Sequence, residues 1–116
     1  MNEAVCASAG PEDNGADVGR GKRLVLVARF RAQHGRADAL RSRLLQMVRL
    51  TVVEPGCLRY ELHEDQGDPE HLVLLEVWRD QVALDRHMET EHVRGLVRDA
   101  PQLTIGDIEM LHLRPL

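Results

Sequence analysis

Residues Cys57 to Trp78 read CLRYELHEDQGDPEHLVLLEVW, two strands and the turn that joins them. The first half alternates Leu58, Tyr60 and Leu62 with Arg59, Glu61 and His63, the period of a half-buried strand. Gln66-Gly67-Asp68-Pro69 supplies the turn, and His71 to Trp78 is the strand returning from it. Outward from this hairpin the chain becomes helical on both sides. Upstream, Arg36 to Val53 repeats apolar residues at Ala37, Leu40, Leu44, Met47/Val48 and Val52, an amphipathic helix whose start lacks a capping residue. Glu54-Pro55-Gly56 stops it, because proline cannot continue the hydrogen bonding and glycine permits the reversal. Downstream, Asp80 caps a short helix carrying Val82, Leu84 and Met88. Thr90 restarts it, with Val93, Leu96 and Val97 as the next buried face, and Ala100-Pro101 ends it. Strands over Leu24–Arg31 and Thr104–Leu113 lie outermost. The order β-α-β-β-α-β is the split arrangement of the ferredoxin-like fold: α+β, an antiparallel sheet with helices on one face.

Composition narrows the function classes. The 116 residues fit one domain, and 43% hydrophobic with 29% charged residues is ordinary for a globular chain. No apolar run approaches the ~18 residues of a membrane span. A net charge of −4 with interleaved signs argues against nucleic acid, which calls for a basic surplus on one face. Cys6 and Cys57 form neither a disulfide framework nor a metal spacing, so a reducing, cytoplasmic setting is expected. Residues 1–23 hold four of the nine glycines and little apolar material, without the basic start and apolar core of a secretory signal. They read as a flexible tail before a domain spanning residues 24–116.

Both faces of the sheet carry apolar residues. The first strand places Leu24, Leu26, Ala28 and Phe30 on one face and Val25 and Val27 on the other; the third places Leu72, Leu74 and Trp78 against Val73, Leu75 and Val77. Two helices cover only one face, so a homodimer through the other is expected.

The chemistry-bearing residues are few. No phosphate loop, dinucleotide glycine pattern or nucleophile elbow occurs in the sequence. Phe30, Tyr60 and Trp78 are its three aromatics, all within the first three strands. Parity puts Glu76 on the face of Trp78, where a carboxylate is costly unless bonded. It is therefore tied to an arginine or a backbone amide, or it orients a histidine or a substrate hydroxyl. His87 falls on the apolar stripe of its helix, and His92 would lie roughly 140° away on a continuous helix. The two converge only if the helix breaks between them. Metal sites on one helix use a histidine spacing of four, and no third ligand is evident, so no metal is expected.

The run EPGCLRYEL (Glu54 to Leu62), followed by LLEVWRDQVALDRHMETEHVRGL (Leu74 to Leu96), resembles the antibiotic biosynthesis monooxygenase superfamily, above all its small quinol-monooxygenase-like members. The shared pattern is Pro-Gly-Cys-x-x-Tyr, Glu-x-Trp and His-x-x-x-x-His, and the resemblance extends over Leu24 to Leu113. It implies a dimer of ferredoxin-like subunits whose sheets pack into a shared α/β barrel. The scaffold serves anthrone and quinol oxygenases, heme degraders and an autoinducer isomerase. Some members place an asparagine on or just after the first strand; Val27 to Gln33 has none, which argues against heme degradation. The resemblance puts Trp78 and His87 in the pocket and His92 at its rim. It implies a cofactor-independent monooxygenase that uses dioxygen on an electron-rich phenol, hydroquinone or anthrone. His87 would be the base, Trp78, Tyr60 and Phe30 would hold the ring, and Glu76 or His92 would orient polar groups. Two alternatives stay open: a carbonyl isomerase or tautomerase using the same base without oxygen, and a noncatalytic small-ligand-binding dimer.

Overall fold

A computed structural model describes residues 22–116; the expected tail, apart from its last two residues, lies outside the described residues. Four strands and three helices follow in the order β1 (Leu24–Arg31), α1 (Ala37–Thr51), β2 (Cys57–Asp65), β3 (Asp68–Trp78), α2 (Gln81–Met88), α3 (Glu91–Asp99) and β4 (Glu109–Leu113), with a 3-10 turn at Ala100–Gln102. The strands pair in the order β2-β3-β1-β4, antiparallel throughout. This is the ferredoxin-like α+β fold expected from the hairpin outward. The interior strands are β1 and β3, the two richest in valine and leucine.

One face of the sheet is the core. Leu26, Ala28, Phe30, Tyr60, Leu72, Leu74 and Trp78 pack there against Leu40, Leu44 and Met47 of α1 and Leu84, Val93 and Leu96 of α2 and α3. On the outward face, register sets Val25 beside Val77 and Leu113, and Val27 beside Leu75 and Leu111. Leu111 and Leu113 are about half exposed, and the facing valines are partly so. Among the described residues, a row of cross-strand apolar neighbours is therefore left at least partly exposed.

The helix ends carry the geometry that matters for function. Helix α1 begins without a side-chain cap, and Gly56 closes the turn after it at φ 83. Glycine is required at Gly56 twice over: for the positive φ, and because a Cβ there would stand 2.5 Å from that of Ala83. The Gly56 carbonyl accepts from the Arg79 amide at 2.8 Å, which fastens the turn to the start of α2. The Asp80 carboxylate accepts from the Ala83 amide, and the Thr90 hydroxyl from the Val93 amide, so the expected break between two capped helices is present.

Two expectations need correction. β4 starts at Glu109 rather than Thr104. Thr104 makes only an isolated bridge to Ala32, after which Gly106 at φ 71 turns the chain before pairing resumes. Val82, Met88 and Val97, expected inside, are 57%, 49% and 57% exposed. The short helices instead bury Ala83, Leu84 and His87, then Val93, Gly95 and Leu96. Met88 and Val97 stand at the mouth of a cleft, which their hydrophobicity alone could not distinguish from a core.

Candidate functional site

His87 and His92 come together on one carboxylate, that of Glu54. The His87 Nδ1 lies 3.0 Å from Glu54 Oε2 and 3.1 Å from Oε1, and the His92 Nε2 lies 2.6 Å from Oε2. Each element contributes one part. The Pro55-Gly56 turn presents Glu54 from the end of α1, the last turn of α2 supplies His87, and the first turn of α3 supplies His92. Thr90 holds the break between the two histidines, since its hydroxyl and amide both donate to the His87 carbonyl, at 2.7 and 3.1 Å. On an unbroken helix the imidazoles would diverge; the break brings their ring centres to 6.0 Å.

Glu54 went unread in the sequence because its neighbours Pro55 and Gly56 account for the helix stop by themselves. One signal was there: an acidic residue just past a helix C-terminus opposes the dipole, which favours cations at that end. Glu54 also supplies the third ligand-type atom that the histidine spacing does not reveal. The donor atoms of Glu54, His87 and His92 all lie within 4.8 Å of one another.

Behind His87 the aromatic residues form a wall. Trp78 packs against it with ring centres 4.6 Å apart and planes tilted by 37°, and Tyr60 meets it edge-on at 5.5 Å. The indole N–H donates to Glu76 Oε1 at 2.9 Å. The carboxylate that parity placed beside Trp78 is thus held by that tryptophan, rather than by an arginine or a backbone amide. Burial pushes the Glu76 carboxyl above its ordinary range, opposed by the indole hydrogen bond and the nearby His87. Burial, reinforced by Glu76, raises the Tyr60 phenol well above its ordinary value, so it stays protonated at neutral pH.

An apolar cleft opens between the sheet and helices α2 and α3. Phe30, Tyr60, Glu76 and His87 line it, with Leu26, Ala28, Leu74, Leu84, Val93 and Leu96, and Met88, Val97 and Met110 stand at its mouth. Trp78 is fully buried and is not among the lining residues; it touches the cleft's chemistry through His87 and Glu76. The cleft's volume of about 80 Å³ is below the ~150 Å³ that holds a benzene ring. A ring therefore enters only with movement at the mouth, where methionines are the side chains most able to move. A second, more open cleft of about 470 Å³ lies between α1 and α3, lined by Arg43, Gln46, Glu91, His92 and Arg98 among others. His87 lines the first cleft and His92 the second, with Glu54 between them.

Residues 23–99 match the family model described as antibiotic biosynthesis monooxygenase. The chain is 32% identical over 93 residues to the Rv0793 protein of Mycobacterium tuberculosis, covering 80% of this chain and 91% of that protein. It superposes on the crystal structure of PA3566 from Pseudomonas aeruginosa with a TM-score of 0.78 at 35% identity, covering 84% of this chain and 97% of the other. A third similarity, to sll1783 of Synechocystis, is 38% identity over 57 residues, 49% of this chain and 39% of that longer protein.

Proposed function

The chain belongs to the antibiotic biosynthesis monooxygenase family, and from that premise we propose that it oxidises an electron-rich aromatic (a hydroquinone, phenol or anthrone) with dioxygen and without a bound cofactor. The observation that carries this reading is the Glu54–His87 pair at the edge of an apolar cleft. With Nδ1 committed to Glu54, the nitrogen of His87 left for a substrate is Nε2. A carboxylate that fixes the tautomer of a histidine in this way makes it a directed base.

In the proposed reaction His87 removes a proton from the hydroxyl or activated methylene of the substrate. The resulting anion is rich enough in electrons to reduce dioxygen directly. One oxygen atom enters the substrate and the other leaves as water; for an anthrone, the methylene becomes a carbonyl. Glu76, held by the Trp78 indole at the cleft wall, orients the polar groups of the substrate. Phe30 and Tyr60 flank the ring, and Trp78 acts at one remove by packing His87 and holding Glu76. The dry walls suppress side reactions of the reduced oxygen species. We further propose that two copies associate through the outward valine and leucine face of the sheet.

Oxygen uptake by the purified chain across a panel of hydroquinones and anthrones tests the reading. Uptake with at least one class is expected, falling about 10²- to 10⁴-fold in His87→Ala, the usual contribution of a positioned base. Undiminished uptake in His87→Ala would remove that residue from the mechanism.

A further inference from the structure

We propose that Glu54, His87 and His92 form a binding site for a divalent transition-metal ion of the zinc class, and that occupancy excludes the base chemistry of His87. Three observations lead there. The donor set is two imidazole nitrogens and one carboxylate oxygen, which suits zinc, iron, cobalt or nickel rather than calcium or magnesium, whose ligands are all oxygen. The donors converge: both histidines point a nitrogen at the same oxygen, Glu54 Oε2, at 3.0 and 2.6 Å. The site is also built in place. The side chains of Glu54, His87 and His92 are 12%, 4% and 17% exposed, and the Gly56 turn, the Thr90 cap and the Trp78 ring hold them from three sides.

The two histidine–carboxylate contacts need little change to accept an ion. Metal–ligand bonds of about 2.0 to 2.1 Å in a tetrahedron set neighbouring donors about 3.3 Å apart. Replacing the shared protons by an ion therefore asks these hydrogen-bonded atoms to open by several tenths of an ångström, and the two histidine nitrogens, within 4.8 Å of each other, to draw together to about 3.3 Å. Three protein ligands leave one position free, the arrangement of an open rather than a closed zinc site. The cleft beside His92 gives that position an entry path and room for water.

Coordination and catalysis would compete for the same imidazole. A neutral histidine that ligates through Nδ1 carries its proton on Nε2, the nitrogen the oxygenase reading assigns as base. The metal-bound and base-competent states are then mutually exclusive.

Cobalt(II) titration of the untagged, chelator-treated full chain tests the site without reference to turnover. One cobalt per chain, with visible d–d absorption displaced by zinc, is the expected result. Glu54→Gln and His92→Ala should each weaken binding by more than ~100-fold, beyond the ~10- to 100-fold typical of losing a supporting partner alone. His63→Ala, an exposed histidine on the hairpin, should leave it unchanged. If Glu54→Gln fails to fold, His92→Ala at the more exposed end of the site decides. The absence of a visible band at millimolar cobalt would overturn the proposal, as would binding that survives His92→Ala. Because no substrate is involved, either result stands apart from the fate of the oxygenase reading.

Discussion

Two acidic residues in this chain do opposite things with the same chemistry. Glu54 accepts from two histidines, whereas Glu76 has one indole donor and a hydrophobic surround. For Glu76 the sign of the stability effect follows from its raised folded-state pKa. A carboxyl that resists ionisation in the fold contributes stability below its ordinary value of 4.5, lost as pH rises toward the raised folded value. The melting temperature of Glu76→Gln relative to the natural chain should therefore climb between pH 4 and pH 7. A difference that stays flat or falls would show that the fold does not raise the Glu76 carboxyl. Glu54→Gln should act differently, lowering kcat by between about tenfold and 10⁴-fold, the latter being the loss when a histidine-orienting carboxylate becomes an amide. KM should hardly move, since Glu54 is not among the residues lining the apolar cleft. Parallel losses in binding and turnover would instead mark a general collapse of the site.

Each helix end acts as a positioning device, and two single substitutions separate their roles. Gly56→Ala meets both a positive φ and a 2.5 Å approach to Ala83, so a loss of about 2 to 4 kcal/mol in denaturant unfolding is expected. Thr90→Ala removes one cap, worth about 1 kcal/mol, and with it the hydroxyl that fixes the break between the histidines. Activity should suffer more than that stability loss implies; a variant with lowered stability and full activity would contradict the role given to the break. These elements also show what the sequence does and does not disclose. The strands were legible because Leu26, Ala28 and Phe30, or Leu72 and Leu74, alternate with half-buried partners, and such a period survives without any tertiary knowledge. The helix break was legible because Asp80 and Thr90 are local caps. Glu54 was not, since its meaning arises only when α1's end meets α2 and α3, residues 33 and 38 positions away. Met88 and Val97 misled for the complementary reason: an apolar residue at a cleft mouth and one in a core look alike along the chain. At β4, Thr104 and Ile105 have strand-like side chains, but the positive φ of Gly106 defers the pairing.

For the molecule as a whole, the two sheet faces divide the labour. The inner face builds the core and the cleft, and the outer one presents Val25, Val27, Leu75, Val77, Leu111 and Leu113 in register. The proposed association with a second copy would bury them, since nothing among the described residues covers them. Leu75→Arg should thus shift the chain from dimer to monomer by light scattering at micromolar concentration; a natural chain that is already monomeric there would refute the association. The cleft belongs to the same scale, since its mouth is shared by α2, α3 and β4. In the proposed reaction this cleft and the Glu54-oriented His87 direct dioxygen onto an aromatic anion. Turnover of a hydroquinone or anthrone under isotopically labelled dioxygen, with mass analysis of the product, tests it most directly. One labelled oxygen atom in each product molecule and no turnover under nitrogen are expected; product that forms under nitrogen, or that carries oxygen only from water, would refute the proposed reaction.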